Sequence, residues 1–357
     1  MALFKNDETP LRSGPMRAAA FSDFGGPSVV QVTEDAPKPI QESDQVLVRQ
    51  VASSLNPIDC HRRGGYGHHV MKMRGALNFP VILGNDIAGH VVAVGNDVTG
   101  FAVGDAVMGV KGPSSNGAFA EYVAVDSASL IHKPDAMSFV EAAALPYAFF
   151  TAWSALVDDG GLNAANGPDR HVFIQGGAGG VGSVAVQIAK ALGARVTATA
   201  STGKVDLVAS LGADRVIDYT REDYAASLDD VDIAFCTASM DEEDKMLAIL
   251  KRGGDARFVT VIHPLLKLTD EKGLMLGFIA GKAMLAKQNR ALKRSGRSVC
   301  WSIFKDPPEA VGLFEKMAHS GQLHAIIDQS YPLAEIVAAQ ERLESGKAQG
   351  KVIVDFS

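Results

Sequence analysis

Gly176-Gly177-Ala178-Gly179-Gly180-Val181-Gly182 stands between a short apolar run, His171–Gln175, and a stretch with apolar residues at helical spacing, Val181–Leu192. Strand, glycine turn and helix in that order have a physical logic. Gly177 and Gly179 allow a tight turn and let the backbone come close to a pyrophosphate. Gly182 lets the helix pack directly on the sheet, and the helix N-terminus offers unpaired N–H groups and a positive dipole end. Ala178, Gly180 and Val181 complete the cradle. A second apolar run, Arg195–Ala200, follows at the distance a βαβ unit requires. The stretch therefore reads as a dinucleotide-binding loop rather than a bare turn.

Downstream the rhythm continues. A helix over Lys204–Leu211, closed by Gly212, precedes strands Arg215–Asp218 and Val231–Cys236, a helix Asp241–Leu250 and a strand Ala256–Val261. Val299–Phe304 and a helix Pro308–Ser320 end the series. Strands alternating with helices of this length imply an α/β domain with a doubly wound parallel sheet and right-handed crossovers. Upstream, Phe139–Leu156 is apolar and Ala-rich and suits a buried helix pair broken at Pro146. Before it the chain is β-rich, with strands expected at Met16–Phe21, Gln45–Ala52, Ala88–Val94, Ala106–Val110 and Ala118–Val125 between turn residues. From Gln322 the α/β rhythm stops, and that segment, with a strand at Lys351–Phe356, is expected back on the β-rich part. The predicted domains are 1–147 with 322–357, and 148–321.

The end of the second strand bears on the choice of dinucleotide. An NAD site places Asp or Glu about 20 residues beyond the glycines, to accept from the ribose 2′-hydroxyl. Here the strand runs out as Ala198-Thr199-Ala200-Ser201-Thr202-Gly203-Lys204. No acid stands there to repel a 2′-phosphate, and Ser201, Thr202 and Lys204 offer two hydroxyls and an ammonium to it. Lys204 taken alone equally suits a solvated helix start. Tyr219, after the third strand, adds a phenol. NADPH is the expected cofactor.

Length and composition bound the rest. A chain of 357 residues implies two domains. A hydrophobic share of 47%, a charged share of 21% and 36 glycines without a period describe a globular protein. The net charge of −7 argues against nucleic acid as a partner. Cys60, Cys236 and Cys300 are too scattered for a disulfide framework or a CxxC metal cluster. The segment Met1–Pro15 has neither a secretory h-region nor an acid-free transit character, and no run of 18 uncharged apolar residues exists. A cytoplasmic enzyme is the default.

Several motifs together resemble the zinc-independent quinone oxidoreductase branch of the medium-chain dehydrogenase/reductase superfamily. They are Asn56-Pro57-Ile58-Asp59, Gly84-Asn85-Asp86-Ile87-Ala88-Gly89, Phe101–Val107, Gly117–Tyr122, Ala144-Leu145-Pro146, Thr151-Ala152-Trp153, the glycine loop and Leu211-Gly212-Ala213-Asp214. Within that branch, Ser53–Asp59 with Arg63-Gly65-Tyr66-Gly67, and Leu162-Asn163, are most similar to the reticulon-4-interacting protein group, whose members are NADPH oxidoreductases. The resemblance implies a GroES-like β domain made by both chain ends, a Rossmann domain, and a substrate cleft between them. It implies further cofactor contacts at Thr151, Thr237, Val259, Val261 and Lys351, with Phe258–Val261 passing beneath the nicotinamide. A homodimer joined by sheet edges is also implied, with Val299–Phe304 as the candidate edge. The zinc ligands of the superfamily map by motif onto Asn56, Asn85 with Asp86, and Tyr147, a set without strong zinc ligands, so no metal is expected.

A site without a Lewis acid suits acceptors that delocalise incoming charge: quinones, enones or enoyl thioesters. Asn56 and Asp59 are the candidates for positioning nicotinamide and acceptor. Asp59 as a plain turn residue is the alternative. Tyr66 is the candidate proton donor, with Arg63 to lower its pKa or hold an oxyanion. Tyr66 packed over the cofactor, with water as the proton source, is an equal reading. Beyond quinone or enone reduction, the same sequence fits an enoyl thioester reductase, or a non-catalytic NADPH-binding protein of the crystallin kind. His61, His68 and His69 lack companion ligands and read as turn or surface histidines. The segment Gly277–Arg297 carries six cations and no acid. A solvated helix face is favoured over contact with a membrane surface or an anionic carrier.

Overall fold

The computed structural model describes residues 14–112, 116–305 and 308–357. The expectation for the N-terminal lead falls almost wholly outside them. The β-rich part opens with β1 (Pro15–Phe21), β2 (Val30–Pro37) and β3 (Gln45–Leu55), then the short helices α1 (Pro57–Arg63) and α2 (His68–Met73). Strands β4 (Val81–Ile82), β5 (Asp86–Val94), β6 (Ala106–Val110), β7 (Tyr122–Asp126) and β8 (Leu130–His132) follow. Helices α3 (Phe139–Ala143) and α4 (Pro146–Trp153) lead out of this part, and α4 runs on as a wider π-type turn over Ser154–Asp159. The break falls at Pro146, whose missing N–H and fixed φ start a helix well and continue one badly. Phe139–Asp159 is apolar and long enough to cross a membrane, but most of it is buried inside the protein.

The α/β part holds β9 (His171–Ile174), α5 (Gly180–Ala191), β10 (Arg195–Ala200), α6 (Val205–Ser210), β11 (Arg215–Asp218), β12 (Ile233–Cys236), α7 (Glu243–Ala248) and β13 (Ala256–Thr260). Then come α8 (Leu265–Lys272), α9 (Leu274–Leu292), β14 (Arg297–Trp301) and α10 (Pro308–His319). Its six strands form one parallel sheet in the order β11-β10-β9-β12-β13-β14, a doubly wound arrangement whose chain order reverses between β9 and β12. Such a reversal opens a crevice at the carboxyl ends of the strands. Strand β9 is buried at every position, as a central strand covered on both faces must be.

The chain then returns. Strand β15 (Ile327–Pro332), α11 (Ile336–Glu344) and β16 (Lys351–Asp355) join the first part, because β16 pairs antiparallel with β3, Val352 opposite Leu55 and Asp355 opposite Ala52. The resulting sheet runs β15-β16-β3-β5-β6-β8, with β7 on β3, and a three-stranded sheet β2-β1-β4 lies apart from it. Both halves of the fold class are thus present: a Rossmann-type parallel sheet and an antiparallel, GroES-like β-rich part.

Some local expectations shift. The strand read at Ala118–Val125 begins only at Tyr122. Before that, Phe119 uses its backbone to tie Leu83 and Ala19 together, at 2.7 and 2.8 Å. The edge strand read at Val299–Phe304 is Arg297–Trp301. The basic segment is most of α9 with the turn Lys293–Ser295 and the start of β14; the exposed surface of α9 carries Lys282, Lys287 and Arg290 but also Met275, Leu276 and Ile279. Its Gly277 packs on α8, where a Cβ would sit 2.4 Å from the Thr269 Cα.

Candidate active site and dinucleotide cleft

The glycine loop meets the crevice at the end of β9. Its left-handed residue is Gly176 (φ +75°). Gly177 serves a different need: a Cβ there would lie 2.9 Å from both Ala198 Cβ and Val208 Cγ1, so the loop can lie against β10 only without a side chain. Gly182 is under the strictest limit, since its Cβ would fall 2.1 Å from the Gly176 carbonyl oxygen. Thr199, which carried no sequence signal, clamps the loop: its hydroxyl accepts from Gly176 N (2.9 Å) and its carbonyl from Gly177 N (2.8 Å). Gly180 and Val181 then open α5.

A cavity of about 1010 Å³ lies over this loop, lined by Gly176, Ala178 and Gly179 at its floor and by Ser201, Lys204 and Tyr219 at one end. Thr237 also lines it and donates its hydroxyl to the Gln175 carbonyl at 2.6 Å. The same end is closed from the returning chain by Arg342, Lys347 and Gln349, none of which the sequence singled out. Arg342 is forked onto Asp328 at 2.8 and 2.9 Å. The opposite wall carries Asp241 and Glu242. The cationic end is the place for phosphate, and the glycine cradle fits a pyrophosphate.

Thr202, Val259 and Thr151 are corrected as cofactor contacts. Thr202 donates to Asp218 Oδ2, at the end of β11, at 2.5 Å and does not line the cavity. Val259 is fully buried in the core of the sheet and has no surface to give a nicotinamide. Thr151 is buried in α4, and Val261 packs partly buried on the same core. Lys351 is turned to another task. Its ammonium is buried and donates to Asn56 Oδ1 at 2.5 Å, with Asp86 Oδ2 at 3.5 Å, while its stem covers Gly180.

Lys351 therefore belongs to a buried hub centred on Asp86, at the position of the superfamily's zinc ligands. Asp86 Oδ2 accepts from Ser54 Oγ (2.5 Å) and Asn56 Nδ2 (2.8 Å), and Oδ1 accepts from Tyr147 N (2.6 Å). Asn85 turns away, donating to the Lys111 carbonyl at 2.9 Å. The donor set does not fit zinc: its place holds an amide, a phenol and an ammonium, and an ammonium beside the carboxylate already supplies the positive charge. Tyr147 stacks on Phe304 with ring centroids 4.9 Å apart, and burial beside Asp59 and Asp86 pushes its phenol up.

Asp59 is the turn residue of its two readings. Its carboxylate accepts from Asn56 N (2.9 Å) and Gly84 N (3.1 Å), joining the start of α1 to the strand that follows α2. Complete burial pushes its pKa up to about 6 against those two hydrogen bonds. Arg63 is corrected more sharply. It is buried facing away from Tyr66, with Nε on the Gly25 carbonyl (3.0 Å), one amino group on Gln340 and the other on Glu344 Oε1 (2.5 Å). It bolts α1 to α11 and neither holds an oxyanion nor acidifies the phenol.

Tyr66 does face the α/β part. Its hydroxyl donates to the His263 carbonyl at 3.3 Å, its ring meets the edge of His61, and burial with Asp270 nearby pushes its pKa up. His263, unmarked in the sequence, lies parallel to Trp301 with centroids 5.5 Å apart and Nε2 3.1 Å from the Ser302 carbonyl. Its Nδ1 is buried without a hydrogen-bond partner among the described residues, and burial pushes its pKa down.

Comparison with known proteins agrees with this architecture. Residues 42–135 match the family model for the alcohol dehydrogenase GroES-like domain, and residues 211–354 that for zinc-binding dehydrogenases. The zebrafish (Danio rerio) protein named NAD(P)H oxidoreductase RTN4IP1, mitochondrial, is 36% identical over 96% of this chain and 91% of its own length. The Arabidopsis thaliana protein named NADPH-dependent alkenal/one oxidoreductase, chloroplastic, is 32% identical over 95% of this chain and 79% of its own. A solved quinone oxidoreductase from Coxiella burnetii superposes with a TM-score of 0.79 at 30% identity, over 96% of this chain and all of that one. Their names place the first two relatives in organelles. The chain belongs to the medium-chain dehydrogenase/reductase superfamily, in the zinc-independent branch that contains the reticulon-4-interacting NAD(P)H oxidoreductases.

Proposed function

We propose that this protein is an NADPH-dependent reductase of activated enones and quinones that works without a metal. The observation that carries the reading is the Asp86 hub: where the zinc enzymes polarise a carbonyl, this chain holds Asn56 rigidly between Asp86 and Lys351. A site so built stabilises charge through hydrogen-bond donors, which suits acceptors that spread it over a conjugated system.

Bound in the cleft, NADPH supplies a hydride. The chain does the rest. Lys204, Ser201, Tyr219 and Lys347 receive the 2′-phosphate, and the loop over 176–182 fixes the pyrophosphate. Asn56 orients the reacting ends. Tyr66 keeps its proton at neutral pH, because its pKa is raised, and stands ready to give it at Oη to the carbanionic or oxyanionic product. One hydride and one proton saturate an enone; the same pair converts a quinone to a hydroquinone.

Among acceptors, the name of the Arabidopsis relative favours an alkenal or enone. The test is NADPH oxidation against a short-chain alkenone, a benzoquinone and a crotonyl thioester. Preference for the thioester would move the protein to the enoyl reductases. NADPH binding with no turnover on any of them supports a non-catalytic role. Tyr66→Phe at saturating NADPH separates the two proton sources, since unchanged turnover would hand the role to water.

Among the described residues, strand β14 pairs on one side only, with β13. Its other edge is the proposed dimer contact, checked by light scattering of the intact chain.

A further inference from the structure

The pair His68-His69 faces a companion that sequence spacing could not reveal. Asp270, on α8, lies 201 residues beyond His69 along the chain, yet His68 Nδ1 is 3.1 Å and His69 Nδ1 3.7 Å from its Oδ1. The three ligand atoms lie within 4.8 Å of one another. We propose that His68, His69 and Asp270 form a zinc-class metal site that clasps α2 to α8, beside the contact between Tyr66 and His263.

Three observations support it. First, His69 Nδ1 is buried and has no hydrogen-bond partner among the described residues, although it points toward a carboxylate oxygen. Two lone pairs facing one another repel unless a proton or a cation stands between them. Second, the donor set is right. Two imidazoles and a carboxylate suit Zn²⁺, whose bonds of about 2.0–2.2 Å put tetrahedral ligands roughly 3.4 Å apart, between the 3.1 and 3.7 Å that separate the two imidazoles from Asp270. Third, the carboxylate is already aimed. Asp270 Oδ2 accepts from Gly67 N at 2.6 Å and Oδ1 from His69 N at 3.3 Å, so the ligand that must cross between the two parts is held in place by the loop it would tie down. The histidine side chains are 34% and 38% exposed, which leaves a path for the ion and a place for water as fourth ligand. His68 must give up its contact with the Gly65 carbonyl, now 3.0 Å from Nδ1, to ligate fully.

The consequence follows from position. Helix α2 begins two residues after Tyr66, and α8 begins two after His263, the partner of the Tyr66 hydroxyl. A metal bridging the two helices holds that contact closed and slows exchange of acceptor. This kinetic consequence rests on the proposed reductase activity, whereas metal binding does not.

The test titrates the full chain, cleared of metal, with Zn²⁺ by calorimetry and follows melting temperature in parallel. The expected result is one tight equivalent in the wild type, with affinity at least tenfold weaker in His69→Ala and in Asp270→Asn. Zinc raises the melting temperature of the wild type only. His68→Gln, which keeps polarity and size, guards against a folding defect in the other two. Equal affinity and stoichiometry in all four proteins would overturn the site. Zinc inhibition of enone reduction that persists in His69→Ala would overturn the clasp.

Discussion

The nucleotide cradle takes its shape from consecutive residues, 176–182, and the strand beside them, whereas the hub around Asp86 draws together Ser54, Asn56, Tyr147 and Lys351, the last 295 residues beyond Asn56. The first works with backbone N–H groups, and any side chain at Gly177 or Gly182 would obstruct it. The second works with buried side-chain charge. Backbone cradles tolerate changes of pH and salt and fail through sterics; buried charge clusters tolerate small changes of shape and fail through loss of a partner. On the proposed function, the protein holds its cofactor and its acceptor by different physics.

Four measurements would break or sharpen that contrast. The largest effect is expected for Lys351→Met. Asp86 keeps three donors, but Asn56 Oδ1 and the carboxylate lose their cation, at a cost of about 4 kcal/mol read from urea unfolding. The double variant with Asp86→Asn should cost clearly less than the sum of the singles; additivity would show that the hub is not one unit.

Next comes Asp59. Its folded pKa, about 6, lies above the ordinary value of 3.8. Between about pH 4 and 6 the folded state binds more protons than the unfolded one, so this group's stabilisation, full at low pH, is lost as pH rises through 6. The expected fall is about 3 kcal/mol. Asp59→Asn should flatten that slope relative to wild type, and an unchanged slope would remove Asp59 as its source.

Gly182→Ala should cost about 2 kcal/mol through overpacking at the Gly176 carbonyl and weaken NADPH binding more than tenfold, by fluorescence titration, at every pH tried. A pH-dependent loss would blur the distinction between the halves. The smallest effect is expected for Lys204→Ala, roughly a tenfold loss of preference for NADPH over NADH, or about 1.4 kcal/mol, with enone turnover at saturating cofactor unchanged.

The same contrast explains what the sequence disclosed. Strands Ala106–Val110, Arg195–Ala200 and Arg215–Asp218 have the bounds their apolar runs indicate, because turn residues flank them and both signals are local. Even in the cradle, spacing did not single out the left-handed residue, Gly176. In a run of glycines, composition does not say which residue takes positive φ; the hydroxyl of Thr199, which holds Gly176 N, does. Side-chain direction was less legible. Arg63 reads as a neighbour of Tyr66, but its partners Gln340 and Glu344 come 277 and 281 residues later and turn it the other way. Thr202 looked free because the acid that claims it arrives on the next strand, as Asp218. His68 and His69 looked alone for the same reason. Strand β2, with exposed Gln31, Glu34 and Asp35 on the edge of a small sheet, lacks the apolar run that marked the others.

The late arrival of Lys351 has a consequence for how the protein is made. A ribosome delivers Asn56 and Asp86 first and reaches Lys351 295 residues after Asn56, a delay of roughly 15–60 s at about 5–20 residues per second. During that interval β3 lacks its partner β16, and Asp86 has no ammonium beside it, while the strands of the nucleotide sheet are already synthesised and can begin to pair. The loop over 176–182 can thus form before the hub around Asp86 is complete. The cationic end of the cleft, with Arg342 and Lys347, waits on the same late segment, so an unfinished chain has the turn that suits a pyrophosphate but neither of the charged sites beside it.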